Sequence, residues 1–117
     1  MPFVIRDGYT TEDVFPASAY MDALKFRYRP CLPEREEDFR IAVAVAQNGK
    51  QVMAEYRKLL MEHLVGWEVQ DEKGNAVSTT DVNAYVVLPR VVQRFIADCI
   101  CSYGPAKAKD DVKNSAN

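Results

Sequence analysis

The stretch "ALKFRYRPCLPEREEDFR", residues 23–40, decides the fold class, because a strand pattern gives way to a helix start within it. Leu24, Phe26 and Tyr28 alternate with basic residues, which is the period of two expected of a half-buried strand. Pro30 and Pro33 donate no backbone N–H and therefore stop the strand, and Pro33 suits the first turn of a helix. We predict a strand over residues 23–29 followed closely by a helix.

Two helices are predicted after this strand. The first runs through "EREEDFRIAVAVAQ", residues 34–47, and its early carboxylates interact favourably with the exposed amides of a helix start. "QNGK" at 47–50 is predicted to end it, since Asn48 and Gly49 tolerate a left-handed cap. The second helix has apolar residues recurring at three and four positions, and Gly66 is predicted to close it; these residues are Val52, Met53, Tyr56, Leu59, Leu60 and Leu64.

A compact, punctuated unit follows in "GWEVQDEKGNAVSTTDVNAYVVLP", residues 66–89. "WEVQ", residues 67–70, is predicted as a second strand, and "DEKGN" as a turn in which Gly74 supplies positive φ. A residue of "STT", 78–80, is expected to cap a short turn that runs through Tyr85. Pro89 is well placed to start a last helix, whose apolar stripe is Val92, Phe95, Ile96, Cys99, Ile100 and Tyr103.

The predicted architecture is a single small α+β domain over residues 1–104. With 117 residues, the chain has room for one core. The strand pair is expected to be antiparallel and covered by about three helices, because two strands alone are marginally stable. Residues 1–21 are predicted to be an irregular N-terminal segment with at most a short strand near residues 3–6, and residues 105–117 a flexible polar tail.

Charge and composition exclude several classes of protein. The formal net charge is −2 and the sequence pI is about 5.4, so we do not expect nucleic acid as a partner. The longest apolar windows, such as "IAVAVA" at 41–46, are too short to cross a bilayer, and the first residues lack the pattern of a signal peptide. We therefore expect no membrane association and a cytoplasmic location.

The residues that carry chemistry are sparse. His63 is the only histidine, and Cys31, Cys99 and Cys101 are predicted to be reduced structural thiols, so we expect no catalytic residue, metal or cofactor. The acidic run "EREED", residues 34–38, is more often a solvated helix start than a pair of catalytic carboxylates. Three arginines beside Phe26 and Tyr28 suggest an anion or RNA surface, but strand alternation explains them more simply; these are Arg27, Arg29 and Arg35.

The layout of the whole chain resembles small bacteriophage and prophage proteins of the tail assembly chaperone type. "FRYRP" precedes an acidic helix, and "W.V.D..GNAV.....VN.YVVLP" leads into "VVQRFIADCI". The residues that carry the resemblance span residues 24–101 and are Tyr28, Arg29, Pro30, Trp67, Asp71, Gly74, Val77, Leu88 and Pro89.

This resemblance implies a non-catalytic viral protein that binds the long, apolar tape measure protein and keeps it soluble until the tail tube forms around it. Such a role needs an exposed apolar groove, which aromatic and methionine side chains can line. Candidate contact residues are Phe26, Tyr28, Arg29, Met53, Met61, Trp67 and Tyr85, although a place in the core explains most of these residue types more simply. The alternatives are a structural particle protein, such as a head-tail connector or tail completion subunit, and an unrelated protein-interaction module; a homo-oligomer is compatible with each.

Overall fold

The computed structural model describes residues 10–19 and 21–101, and within them it has a three-stranded antiparallel sheet and four helices. This confirms the α+β fold class. In chain order the elements are β1 Thr11–Phe15, β2 Leu24–Tyr28, α1 Pro33–Val45, α2 Gly49–His63, β3 Leu64–Trp67, α3 Val82–Val87 and α4, whose described part is residues 90–101.

The central strand β2 organises the core, as the alternation in the sequence predicts. Leu24, Phe26 and Tyr28 are buried, while Lys25 and Arg27 are exposed on the opposite face of the sheet. The helices therefore cover one face only. The buried cluster joins the sheet to the helices and consists of Leu24, Phe26, Tyr28, Phe39, Leu59, Leu60, Leu64, Tyr85, Val92, Ile96, Ala97 and Ile100.

Strand β1 is a correction to the prediction that residues 1–21 are irregular. It pairs antiparallel with β2, in a register that sets Thr11 opposite Tyr28 and Phe15 opposite Leu24. Two side-chain contacts reinforce the pairing: Tyr28 donates its hydroxyl to Asp13 at 2.7 Å, and Arg27 donates to Glu12 at 3.2 Å. The strand predicted near residues 3–6 and the tail predicted at 105–117 lie outside the described residues.

The second strand was predicted over residues 67–70, but β3 is Leu64–Trp67, so only Trp67 belongs to both. The pairing of β3 with β2 sets Trp67 opposite Phe26, Gly66 opposite Arg27 and Leu64 opposite Tyr28, and leaves Val65 without a register partner. The prediction that Gly66 closes the second helix is therefore wrong. The helix ends at His63, because the apolar residues that follow complete the sheet instead of adding another turn.

Helices α1 and α2 form an antiparallel hairpin. Near the sheet, Arg35 donates to both carboxylate oxygens of Glu62, at 2.7 and 3.4 Å, and one turn further out the rings of Phe39 and Tyr56 meet edge to face with centroids 5.1 Å apart. Asn48 was predicted to help end α1 in a left-handed conformation. It has φ −158° instead and caps the start of α2 by accepting from the Gln51 backbone N–H at 2.9 Å.

Candidate protein-binding surface

The residues predicted to contact a partner do not form one surface. Phe26, Tyr28 and Tyr85 are at most 1% exposed, so in this fold they are core, not contact residues. The reason for the two strand residues is that the alternation of β2 turns them toward the helices. Tyr85 is buried because its ring lies 5.1 Å from that of Trp67 and its hydroxyl donates to the Thr79 carbonyl at 2.7 Å.

The other four candidates are reachable but lie on different elements. Arg29 is exposed beyond the end of β2, with its backbone N–H donated to the carbonyl of His63 at 2.9 Å. Met53 and Met61 are eight residues apart on α2, about 12 Å along its axis. Trp67 is partly buried and packs against the core. The predicted set is therefore not a single groove.

The unit at residues 66–89 has a structural purpose, which Trp67 shows most clearly. Its indole N–H donates to the carbonyl of Val77 at 2.7 Å, which closes the loop between β3 and α3. Inside that loop, Asp71 accepts from the backbone N–H groups of Lys73 and Asn75, both at 2.9 Å, and these hydrogen bonds lower the pKa of Asp71. Gly74 has φ +83°, as predicted. The residues that carry the resemblance here hold the loop together.

Helix α3 is capped by a residue different from those predicted. The side chain of Asp81 accepts from the Asn83 N–H at 3.0 Å, while Ser78 and Thr80 bond to each other at 2.7 Å. The end of α3 is fixed to α4 by the buried Gln93, whose amide nitrogen donates to the carbonyls of Tyr85 and Leu88 at 2.9 and 3.1 Å. Gln93 thereby sets the position of α3 on α4.

A row of exposed valines runs over α3 and the first turn of α4. We call Val82, Val86, Val87 and Val91 the valine ridge; each is between 54 and 80% exposed. Single exposed apolar residues are ordinary, but four exposed valines within ten positions, around a corner that Gln93 fixes, are a concentration of the kind found at protein interfaces. The sequence signal was the run "VVLPRVV", residues 86–92, which periodicity alone does not assign to core or surface.

Beside the ridge lies a groove of about 460 Å³ between β1 and α4, which we call the α4 groove. Its floor is apolar, from Phe15, Val91 and Phe95, and the rings of Phe15 and Phe95 meet edge to face at 5.2 Å. Arg90, Arg94 and Asp98 form its rim. The groove therefore joins apolar contact area to guanidinium groups that suit a partner carrying carboxylates.

Several titratable side chains outside this surface make contacts within the fold. Nδ1 of His63 donates to the Leu59 carbonyl at 2.8 Å, a bond within α2. Arg27 and Arg35 already contact the carboxylates of Glu12 and Glu62. Among the residues that the structure describes, no group of three or more His, Cys, Asp or Glu side chains is placed to hold a metal ion.

No disulfide links Cys31, Cys99 and Cys101, all of which lie within the described residues. Burial raises the pKa of the Cys31 thiol and raises that of Cys101 to about 12, and the Cys31 thiol donates to the Leu32 carbonyl at 3.4 Å. A thiol with a raised pKa is a poor nucleophile at neutral pH. In the described part of the chain, no helix is both long and apolar enough to cross a bilayer.

Comparisons of the chain with protein-family profiles, with curated proteins and with solved structures find no match.

Proposed function

We propose that this chain is a non-catalytic binding protein that holds an apolar helix of a partner against the valine ridge and the α4 groove. The observation that carries the proposal is the junction of the two at Val91, where an exposed apolar patch continues into a groove with an aromatic floor. An amphipathic helix docks in such a groove through apolar side chains spaced at three and four residues. Arg90 and Arg94 favour a helix with acidic residues at the edge of its apolar face.

We further propose that the partner is the tape measure protein of a phage or prophage tail, which makes this chain a tail assembly chaperone. This step rests on the sequence resemblance. The fold supports it in one respect: the exposed groove and ridge leave the core intact, so a partner can be bound and later released without unfolding the domain. Release is needed because the tape measure protein must be passed on to the growing tail tube.

The test is coexpression with the tape measure protein encoded beside this chain, followed by copurification at low and high salt. We expect the soluble yield of the tape measure protein to rise, and the complex to survive moderate salt because its contacts are mainly apolar. The double variant Val87→Asp, Val91→Asp should abolish the effect. Val65→Asp is the matched control, because Val65 is also an exposed valine but lies on the far edge strand.

A second variant separates apolar from charged recognition. The double variant Arg90→Glu, Arg94→Glu should copurify less well than the unmodified chain at low salt. At high salt the difference should shrink, because screening also weakens the attraction between the two arginines and acidic groups of the partner. If the tape measure protein stays insoluble while this chain is abundant and folded, the chaperone proposal fails. Detection of the chain in purified virions would then favour a connector or tail completion subunit.

A further inference from the structure

Two cysteines that are far apart in the sequence are brought together by one backbone hydrogen bond. Cys31 lies in the connection between β2 and α1, and Cys101 is the last described residue of α4. The backbone N–H of Cys31 donates to the carbonyl of Ile100 at 2.9 Å. Because Ile100 is bonded directly to Cys101, this hydrogen bond places the two cysteines side by side.

The hydrogen bond also limits the distance between the two Cα atoms. Across a trans peptide, the carbonyl oxygen of Ile100 lies about 2.8 Å from the Cα of Cys101, and the N–Cα bond of Cys31 adds about 1.5 Å. With the hydrogen bond of 2.9 Å, the two Cα atoms are at most about 7 Å apart. The path is bent at the amide, so the true separation is shorter. Disulfides join Cα atoms that are about 4.4–6.8 Å apart.

The side chains of the two cysteines are neighbours as well. Both are partly buried and pack against the core cluster. Burial is the main cause that raises the pKa of each thiol, and the other thiol of the pair adds a smaller effect to each value. Such a mutual effect requires two thiols that are close together. Cys99 is two positions before Cys101 and therefore points about 200° away from it around the helix.

The segment that carries Cys31 is held firmly in place. Pro30 and Pro33 flank it and restrict its backbone. Before it, the backbone N–H of Arg29 donates to the carbonyl of His63 at 2.9 Å. A bond between the two sulfur atoms therefore needs side-chain rotation and little movement of the backbone. Reacting groups that are held together in this way react as if each were highly concentrated near the other.

We propose that Cys31 and Cys101 are a modification site, a thiol pair that closes to an intrachain disulfide when the surroundings become oxidising. The structure shows the reduced form of this pair. The disulfide would fasten the end of α4 to the connection that precedes α1. This inference does not depend on the proposed function, because the valine ridge and the α4 groove involve other residues.

The oxidant is a small-molecule disulfide such as oxidised glutathione. The thiolate of Cys31 attacks one sulfur atom of the oxidant, forms a mixed disulfide and releases one glutathione, which takes up the proton that Cys31 lost. The thiolate of Cys101 then attacks Sγ of Cys31, closes the bridge and releases the second glutathione, which takes up the second proton. The protein loses two electrons and two protons, and the oxidant gains both.

Charged neighbours make Cys31 the better first nucleophile. Although burial raises its pKa, the guanidinium of Arg35 favours its thiolate and acts against the carboxylates of Glu36 and Glu62. Burial raises the pKa of Cys101 to about 12, and its charged neighbours are Glu36 and Arg40.

The rate of closure should depend on pH. Carboxylates and guanidinium groups ordinarily keep their charge between pH 7 and pH 9. In that range the thiolate fraction, and with it the rate of closure, should therefore rise about tenfold per pH unit.

The test is to incubate the dilute, reduced chain with excess oxidised glutathione at pH 9, quench with acid, unfold the chain and alkylate the remaining thiols. Intact mass should show that the parent chain loses two thiols within one molecule and keeps one. Cys99→Ala should close like the parent, whereas Cys31→Ala and Cys101→Ala should form no bridge. A parent chain that keeps three thiols or gains only glutathione adducts would overturn the proposal. So would loss of the bridge in Cys99→Ala, or closure in either of the other two variants.

Thermal unfolding tests whether the bridge fastens the fold. The bridge closes a loop of about 70 residues, so the midpoint of the oxidised parent should rise on the order of 10 °C and return on reduction. Cys101→Ala treated with the same oxidant should show no rise. Where an alanine variant does not fold in its reduced form, the serine variant at that position takes its place. An unchanged midpoint in the bridged parent would contradict the fastening role.

Discussion

The two ends of the α1–α2 hairpin differ sharply in what surrounds them. At the sheet end, Leu59 and Leu60 are fully buried beside β2 and α4. In the distal half, residues 40–58, the same two helices carry more apolar side chains, yet none is fully buried, and of these Val43 and Tyr56 are partly buried against the core. Helix formation alone is marginal for segments of this length, so the distal half depends on the packed end for its stability. The comparison shows that the buried residues at the sheet end stabilise the fold, whereas the distal half contributes less to the core.

The largest expected effect on stability comes from shortening a side chain at the sheet end of the hairpin, compared with the same change in the distal half. Leu60→Ala removes a fully buried side chain and should lower the free energy of unfolding by about 2–5 kcal/mol. Ile41→Ala removes a half-exposed side chain from the distal half and should change the free energy of unfolding by less than about 0.5 kcal/mol. Urea unfolding of both variants beside the parent chain measures the two changes. A large loss from Ile41→Ala would show that the distal half is packed within the single chain.

Two buried groups in the core should make the stability of the chain fall at alkaline pH. Burial raises the pKa of Tyr85 and that of Cys101, each to about 12, from ordinary values of 10.0 and 9.0. Both groups keep their proton longer in the folded chain than in the unfolded chain. The stability that they contribute is therefore complete below about pH 9 and is lost as the pH rises toward 12.

Urea midpoints measured between pH 8 and pH 11 test this prediction. We expect a steady decline above pH 9, and a shallower one for Cys101→Ala, since one of the two groups is then gone. Tyrosine absorbance in the same samples should show one phenol that ionises together with unfolding. A midpoint that stays flat to pH 11 would mean that water reaches both groups in the folded chain.

The sequence predicted β2 well because its pattern is local and complete. Five residues alternate between core and solvent, and prolines mark the end of the strand. Strand β1 was missed because "TEDVF", residues 11–15, has only two apolar side chains and follows several turn-forming residues. It is held by its register against β2 and by the bond from Tyr28 to Asp13, which link distant parts of the chain. Local propensity does not encode such a partner.

The candidate binding surface was harder to predict than the fold, for a related reason. Aromatic and methionine residues were natural choices for a contact surface, but large aromatic side chains gain most from burial, and Phe26, Tyr28 and Tyr85 lie in the core. The valine ridge is exposed only because Gln93 fixes the end of α3 against α4, a tertiary contact between buried groups. The sequence contains the valines, but it does not reveal how α3 is oriented on α4 and therefore which of the valines are exposed.

The smallest expected effect compares two glycines, one in the loop closed by Trp67 and one at the outer end of the hairpin. Neither Gly74 nor Gly49 has any atom within 4 Å of an added Cβ, so a change to alanine tests the backbone alone. Gly74 has φ +83°, and Gly74→Ala should destabilise the chain by about 1 kcal/mol. Gly49 lies in the first turn of α2 with negative φ, and Gly49→Ala should stabilise it by roughly 0.4–1 kcal/mol by restricting the unfolded chain. Opposite shifts in the urea midpoint are therefore expected. A loss from Gly49→Ala would mean that the turn between α1 and α2 needs a conformation that only glycine adopts.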